Sequence, residues 1–201
     1  MDRLTDLDAV LDRVWTRLAR AAEQPGHPLR ALTFGTAGPD GPHLRTVILR
    51  GADPDAHRLA FHSDRRSQKV ADLRDNDRIS WLAWDPDTRE QVRLHGTGTV
   101  HLDDDVADRL WAAEAPASLD IYVCPPAPGT PLNAPDDGLD DAVKTGSVTR
   151  EDVAPGRQHF AVIRTVIDEV EWLHLHREGH YRACFTRDPD GGAFTGTWIV
   201  P

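Results

Sequence analysis

Cysteine is scarce in this chain: Cys124 and Cys184 are the only two, and neither belongs to a CxxC or other paired spacing. No disulfide framework is indicated, and a reducing compartment is the simpler setting. Basic side chains are also in deficit, 23 Lys and Arg against 33 Asp and Glu, for a formal charge of -10. Such an average field repels nucleic acid and anionic membrane surfaces, so neither is expected as a partner. No apolar run approaches the ~20 residues that a membrane span needs. The segment from Met1 to Gln24 is amphipathic and charge-rich rather than basic and then apolar, which does not read as a signal peptide. The expected location is cytoplasmic.

What is present suffices for a core: 201 residues, 39% apolar and 28% charged. We expect one domain over 1–201. Its first 26 residues form an N-terminal helix, with Leu4, Leu7, Val10, Leu11, Val14, Trp15 and Leu18 at three-and-four spacing and Asp2 or Thr5 as cap. From Ala31 the period changes to two. Strands are expected over Ala31–Thr36, His43–Arg50, Arg58–Ser63, Arg78–Asp85, Arg89–Asp103, Gln158–His176, His180–Arg187 and Ala193–Val200. Short helices are expected over Ser67–Arg74 and Asp104–Glu114. Gly96 and Gly98 inside the longest early strand suggest a bulge or a close backbone approach. An irregular excursion over 115–157, rich in proline and aspartate, reads as a surface segment, a lid or an arm around a partner. Many antiparallel strands with few helices indicate a β-barrel or meander with helices outside.

Four segments carry candidate chemistry. Arg45–Arg50 (RTVILR) is a strand with an arginine at each end, suited to hold a phosphate bidentately. Phe61–Lys69 (FHSDRRSQK) is a strand end, a polar turn and a helix start, where hydroxyls, cations and free backbone N–H groups favour an anion. Glu90–Gly96 (EQVRLHG) places Gln91, Arg93 and His95 on one strand face, and a glutamine amide there could read a donor–acceptor edge. Glu171–Phe185 reads as a hairpin turning at Arg177-Glu178-Gly179, with His174 opposite Arg182. In that register Trp172, His174, His176, His180 and Arg182 share a face. The three histidines raise a zinc reading, but no carboxylate or cysteine completes a ligand set, so no metal is assigned.

In this order, the segments resemble the pyridoxamine 5'-phosphate oxidase family of FMN-binding split barrels. The resemblance rests on Arg45–Arg50, Phe61–Lys69, Gln91-Val92, Trp172 followed ten residues later by Arg182, and the closing Trp198-Ile199-Val200-Pro201. It implies a mainly β fold with α: an antiparallel Greek-key split β-barrel with an N-terminal helix and short peripheral helices. It also implies FMN bound at the subunit interface of a homodimer. Carried over, the FMN contacts are Arg45, Thr46, Val47, Ile48, Leu49, Arg50, His62, Ser63, Gln68, Lys69, Gln91, Trp172 and Arg182. Arg45, Arg50, Ser63 and Lys69 would serve the phosphate and ribityl chain; Gln91, Trp172 and Arg182 would lie nearer the isoalloxazine.

The departures concern the substrate. Glu178 and Ala115 stand where the family has arginines for a substrate phosphate, and Trp111 stands for a tyrosine; a carboxylate would repel such a phosphate. Gln68 replaces a basic FMN contact, and His180 matches a substrate-side histidine. The resemblance thus implies an FMN-dependent oxidoreductase acting on a small molecule other than the family's named substrate. No catalytic residue is assigned beyond His180 as a substrate contact. The alternatives are a non-enzymatic FMN-binding protein and a haem-binding split barrel.

Overall fold

In the computed structural model, residues 4–139, 148–190 and 192–201 are described. Helix α1 (Leu7–Glu23) is capped by Asp6, whose carboxylate accepts from the Ala9 amide at 2.8 Å, rather than by Thr5; Asp2 lies outside the described residues. Its apolar stripe, Val10, Val14, Trp15 and Leu18, is buried in the main core. Strands β1 (Ala31–Gly38) and β2 (Gly41–Ile48) form a hairpin tighter than expected, turning at Pro39-Asp40 with Gly41 at φ +131°. A three-residue strand, β3 (Gly51–Asp53), follows, then β4 (Arg58–Asp64), helix α2 (Gln68–Asp75), β5 (Arg78–Asp85) and β6 (Glu90–His101). Helix α3 (Asp105–Ala113) precedes β7 (Phe160–His174), β8 (Tyr181–Arg187) and β9 (Phe194–Ile199).

All strand pairs are antiparallel, in the order β2-β1-β5-β6-β7-β4-β3, with β8 and β9 extending from β7. Strand β4 leads through α2 to β5 yet lies beside β7, which is the Greek-key crossing. The two end strands of the main path, β2 and β3, are consecutive in the chain and joined by Leu49 and Arg50 alone. The sheet must therefore curl until its ends meet. At that seam the Leu49 amide donates to the Arg30 carbonyl and the Arg50 amide to the Ala60 carbonyl. Among the described residues no strand ladder closes it, so the barrel is split.

The curl wraps Phe34, Phe61 and Trp81, edge to face at 4.8–5.4 Å, with Leu18, Leu32, Leu59 and Leu94. Gly96 permits the bend in β6: a Cβ there would meet the Val166 carbonyl oxygen at 2.0 Å, and the register shifts between His95 and Gly96. The excursion is more ordered than its composition suggested. Turns of 3-10 helix at Pro116–Ser118, Asp120–Val123 and Ala154–His159 and a short helix, α4 (Arg150–Val153), build a second core with α3. Trp111, Leu119, Tyr122, Val153 and Phe160 are its centre. The part of the excursion over 140–147 lies outside the described residues.

Candidate functional site

The seam opens into a cleft of about 490 Å3 lined by Arg45–Ile48 and Arg50 of β2 and its extension, His62–Asp64 of β4, Ser67 and Lys69 at the start of α2, and Ser118, Ile121, Tyr122 and Pro128. As a terminal strand, β2 presents backbone N–H and C=O groups along its far edge, and Arg45–Ile48 line the cleft, as does Arg50 just beyond the strand. Leu49 is not part of the lining: its side chain is fully buried in the core and its amide donates to the Arg30 carbonyl.

At the start of α2, Ser67 occupies the cap position but makes no side-chain cap bond. Its hydroxyl is held instead with that of Ser63 at 3.1 Å, and Lys69 Nζ donates to both, at 3.2 and 3.1 Å. Burial pushes the Lys69 ammonium pKa down, Arg45 adds to this, and Asp64 and Asp72 pull it partly back. Arg45 donates to Thr36 Oγ1 and to the His43 carbonyl, both at 2.8 Å. Behind it the buried Asp72 accepts from Thr36 (2.6 Å), Gln68 (2.9 Å) and His43 (2.9 Å), with the Arg45 guanidinium 3.7 Å away. Burial opposes ionisation of Asp72, but these three bonds prevail and hold its carboxyl below the usual range. Asp72 thus braces β1, β2 and α2 around Arg45.

His62 has a side chain only 7% exposed, and its pKa is pushed down to about 4, first by burial and then by Arg50. It is neutral near pH 7, so its 3.7 Å approach to Glu114 is no ion pair there. Glu114 also stands 3.9 Å from Arg50.

The two remaining cations of the FHSDRRSQK run serve the scaffold. Arg66 is clamped by Asp64 and donates to the carbonyls of Cys124 and Pro125; Arg65 donates to Asp103 and to the Gln158 carbonyl. The Gln68 amide is engaged by Asp72 rather than turned to the cleft. Ser67, Ser118 and Tyr122 were not singled out from sequence. Ser67 stood within a legible helix start, whereas nothing local to Ser118 or Tyr122 signals their return to the seam.

The other expected residues lie elsewhere, and the hairpin differs from its expected register. Leu175 donates its amide to the Arg89 carbonyl, so β7 ends at His174 and the loop runs from 175 to 180, with Gly179 at φ +124°. His174 therefore faces Tyr181, and Leu173 faces Arg182. A slip of one residue inverts the faces. Trp172 partners Ala183, is 1% exposed and donates its indole N–H to Glu90, so it is a core residue that does not share a face with Arg182. Gln91 and Arg182 do share one, in the cross-strand row Trp84, Gln91, Leu173, Arg182, Ile199. Arg182 there donates to Glu171 at 2.6 Å. That sheet face also exposes Leu44 (68%), Ile48, Leu82 and Trp84 (44%). His180, Arg182 and Trp198 border a separate hollow of about 310 Å3. Among the described residues no cluster of His, Cys, Asp and Glu is arranged to hold a metal ion, and no helix is long and apolar enough to cross a membrane.

The cleft's chemistry suits a phosphorylated cofactor. Ser63, Ser67 and Lys69 converge as donors beside Arg45, and Asp64, the carboxylate that lines the cleft, is occupied by Arg66.

Comparison with known proteins gives concordant findings. The profile of the pyridoxamine 5'-phosphate oxidase FMN-binding domain matches residues 12–102. A pyridoxine/pyridoxamine 5'-phosphate oxidase 2 of Arabidopsis thaliana is 34% identical over 111 residues, 50% of this chain and 54% of that protein. A pyridoxine/pyridoxamine 5'-phosphate oxidase of Anaeromyxobacter dehalogenans is 39% identical over 83 residues, 41% of each. The chain thus matches about half, or less, of the length of these curated relatives. In fold it is similar to a pyridoxamine 5'-phosphate oxidase-related FMN-binding protein of Nostoc punctiforme, with TM-score 0.73 and 24% identity over 94% of this chain and 96% of that one. It is also similar to PhzG of Burkholderia lata, solved with tetrahydrophenazine-1-carboxylic acid, with TM-score 0.70 and 18% identity over 97% and 93%.

Proposed function

Because the chain is a member of the pyridoxamine 5'-phosphate oxidase-like family of FMN-binding split barrels, we propose that it is an FMN-dependent oxidoreductase acting on a small molecule. The observation that carries the cofactor's placement is the diverted Ser67 hydroxyl, gathered with Ser63 and Lys69 at the start of α2. In this reading Lys69, Ser63, Ser67, Arg45 and the free edge of β2 hold the FMN phosphate and ribityl chain. Arg50 and His62 border the same cleft. Bound flavin supplies the hydride or electron transfer, and the protein supplies orientation and electrostatics.

Gln91 and Arg182 reach a flavin in this scheme only from a second subunit. Support comes from their position on the sheet face that also exposes Leu44, Ile48, Leu82 and Trp84, an apolar surface suited to a homodimer interface. Trp172 is not retained as a direct contact, since its indole is spent inside the core. His180, exposed beside Arg182, is kept as the substrate-side residue. Glu178, Ala115 and Trp111 at the substrate positions favour a substrate other than a phosphorylated pyridoxamine.

The test is an absorption spectrum of the purified protein after incubation with FMN and removal of unbound flavin, followed by anaerobic addition of NADPH, NADH or candidate reduced substrates. Retained flavin that bleaches supports the oxidoreductase. Retained flavin that no donor bleaches selects the second reading, a non-enzymatic FMN-binding protein, which the substrate-position departures favour. No retained flavin removes both.

A further inference from the structure

A second recess, of about 210 Å3, shares Arg50 and His62 with the cleft but is otherwise walled by β3, the first half of β4, Leu110 of α3 and Arg164 of β7. Three guanidinium groups line it, those of Arg50, Arg58 and Arg164, against one carboxylate, Asp53. Asp53 is matched to Arg58 at 2.7 Å, and Glu114 stands 3.9 Å from Arg50. The Arg164 guanidinium forms no hydrogen bond and no ion pair with any described residue. It is half-buried, and burial lowers its pKa, with Arg58 and Arg109 adding to the effect against a weaker pull from Asp104 and Asp53.

This arrangement is anomalous in a chain whose acids outnumber its bases by 33 to 23. A half-exposed guanidinium without an acceptor and beside other cations carries a repulsive cost that the weaker pull of Asp104 and Asp53 does not offset. An oxyanion relieves that cost, because the planar fork of an arginine matches two oxygens of a carboxylate or phosphate. The volume suits one such group and is below the range of pockets that enclose a whole drug-sized ligand.

We propose that this recess is an oxyanion site, taking a single phosphate or carboxylate group on Arg164, with Arg58 and Arg50 flanking it. None of the residues expected from sequence to meet a substrate phosphate lines it; the site uses β3, β4 and β7 instead. Since Arg50 and His62 border both cavities, an anion seated there lies next to the cleft. Its service to an anionic substrate rests on the FMN assignment, whereas the binding of a simple anion does not. Asp53 and Glu114 limit the affinity and favour a small, well-shaped anion over general electrostatic attraction.

The experiment is a titration of the Lys69→Ala protein, in which the phosphate corner of the cleft is disabled, with inorganic phosphate and separately with acetate. Shifts are read by NMR at the amides of Gly51, Ala52 and Leu110 and at the Nε–H of Arg164. Saturable shifts are expected, with affinity lowered at least about tenfold at the same amides when Arg164→Gln is added. Preference for one of the two anions identifies the group. Arg164→Lys, which keeps the charge and loses the fork, should also weaken binding, and guards against a misfolded glutamine variant. Shifts that vanish with Lys69→Ala but survive Arg164→Gln in the otherwise native chain would put the anion in the cleft and overturn the proposal. Absence of saturation with either anion would do the same. FMN retention by the unaltered protein is measured in parallel; its failure sinks the cofactor assignment and leaves the anion result standing.

Discussion

Two groups of charged side chains in this molecule look alike in sequence and behave in opposite ways. Beneath α1, Arg13 and Arg17 meet Asp85 and Glu90, and the indole of Trp172 donates to the same Glu90. Each guanidinium there has a carboxylate, so the network is closed and joins the helix to β5 and β6. At the seam, Lys69 contacts hydroxyls alone, and Arg45 contacts a hydroxyl and a carbonyl with its carboxylate 3.7 Å away. The donors there converge on space. Charge count does not separate a structural cluster from a binding one; the presence or absence of close acceptors does.

The largest expected effect tests the closed side. Glu90→Gln leaves Arg13 and Arg17 with too little counter-charge in a mostly buried setting, and should cost about 3–5 kcal/mol of stability, read from denaturant midpoints. FMN affinity of the folded fraction should stay within about threefold; a loss as large as that of a cleft variant would erase the distinction.

His62 borders the open side and titrates abnormally. Its folded pKa of about 4 lies below the ~6.5 of an unfolded histidine, so between these values the unfolded chain binds a proton that the folded chain does not. Stability should fall as pH drops through that window, by of order 3 kcal/mol from this group. His62→Gln should flatten that part of the profile. Parallel profiles for the two proteins would mean that His62 protonates in place, with Glu114 as its counter-ion.

On the open side itself, Lys69→Ala should weaken FMN binding roughly 10- to 100-fold with the fold intact, as for loss of a charged hydrogen bond to phosphate. Equilibrium titration of flavin fluorescence measures this, and unchanged affinity would refute the phosphate placement. The smallest effect belongs to Gln68→Ala, below about threefold, because that amide is engaged by Asp72.

Much of the fold was legible because its signals are local. Alternation marked every long strand, and Gly96 announced the close approach to β7. The three-residue β3 was too short for any period to show. The hairpin register was lost because the Leu175 amide is claimed by Arg89, 86 residues earlier in the chain and invisible to local turn rules. Of the site, the β2 segment and Ser63 and Lys69 were legible as motifs. Arg65 and Arg66 stand in the same cation-rich run, but their partners include carbonyls at Cys124, Pro125 and Gln158. Tyr122 and Ser118 were hidden for the same reason: 3-10 turns carry no hydrophobic period.

The joining of the two end strands by Leu49 and Arg50 also has a kinetic consequence. Strands β2, β3 and β4 are neighbours in sequence and form early contacts cheaply, yet β4 takes its final place only when it pairs with β7, about a hundred residues later. The cleft between β2 and β4 is therefore among the last features a refolding chain acquires. A ligand that binds there reports completion of the barrel rather than guiding its first steps, and the rise of bound flavin should trail the burial of Trp81.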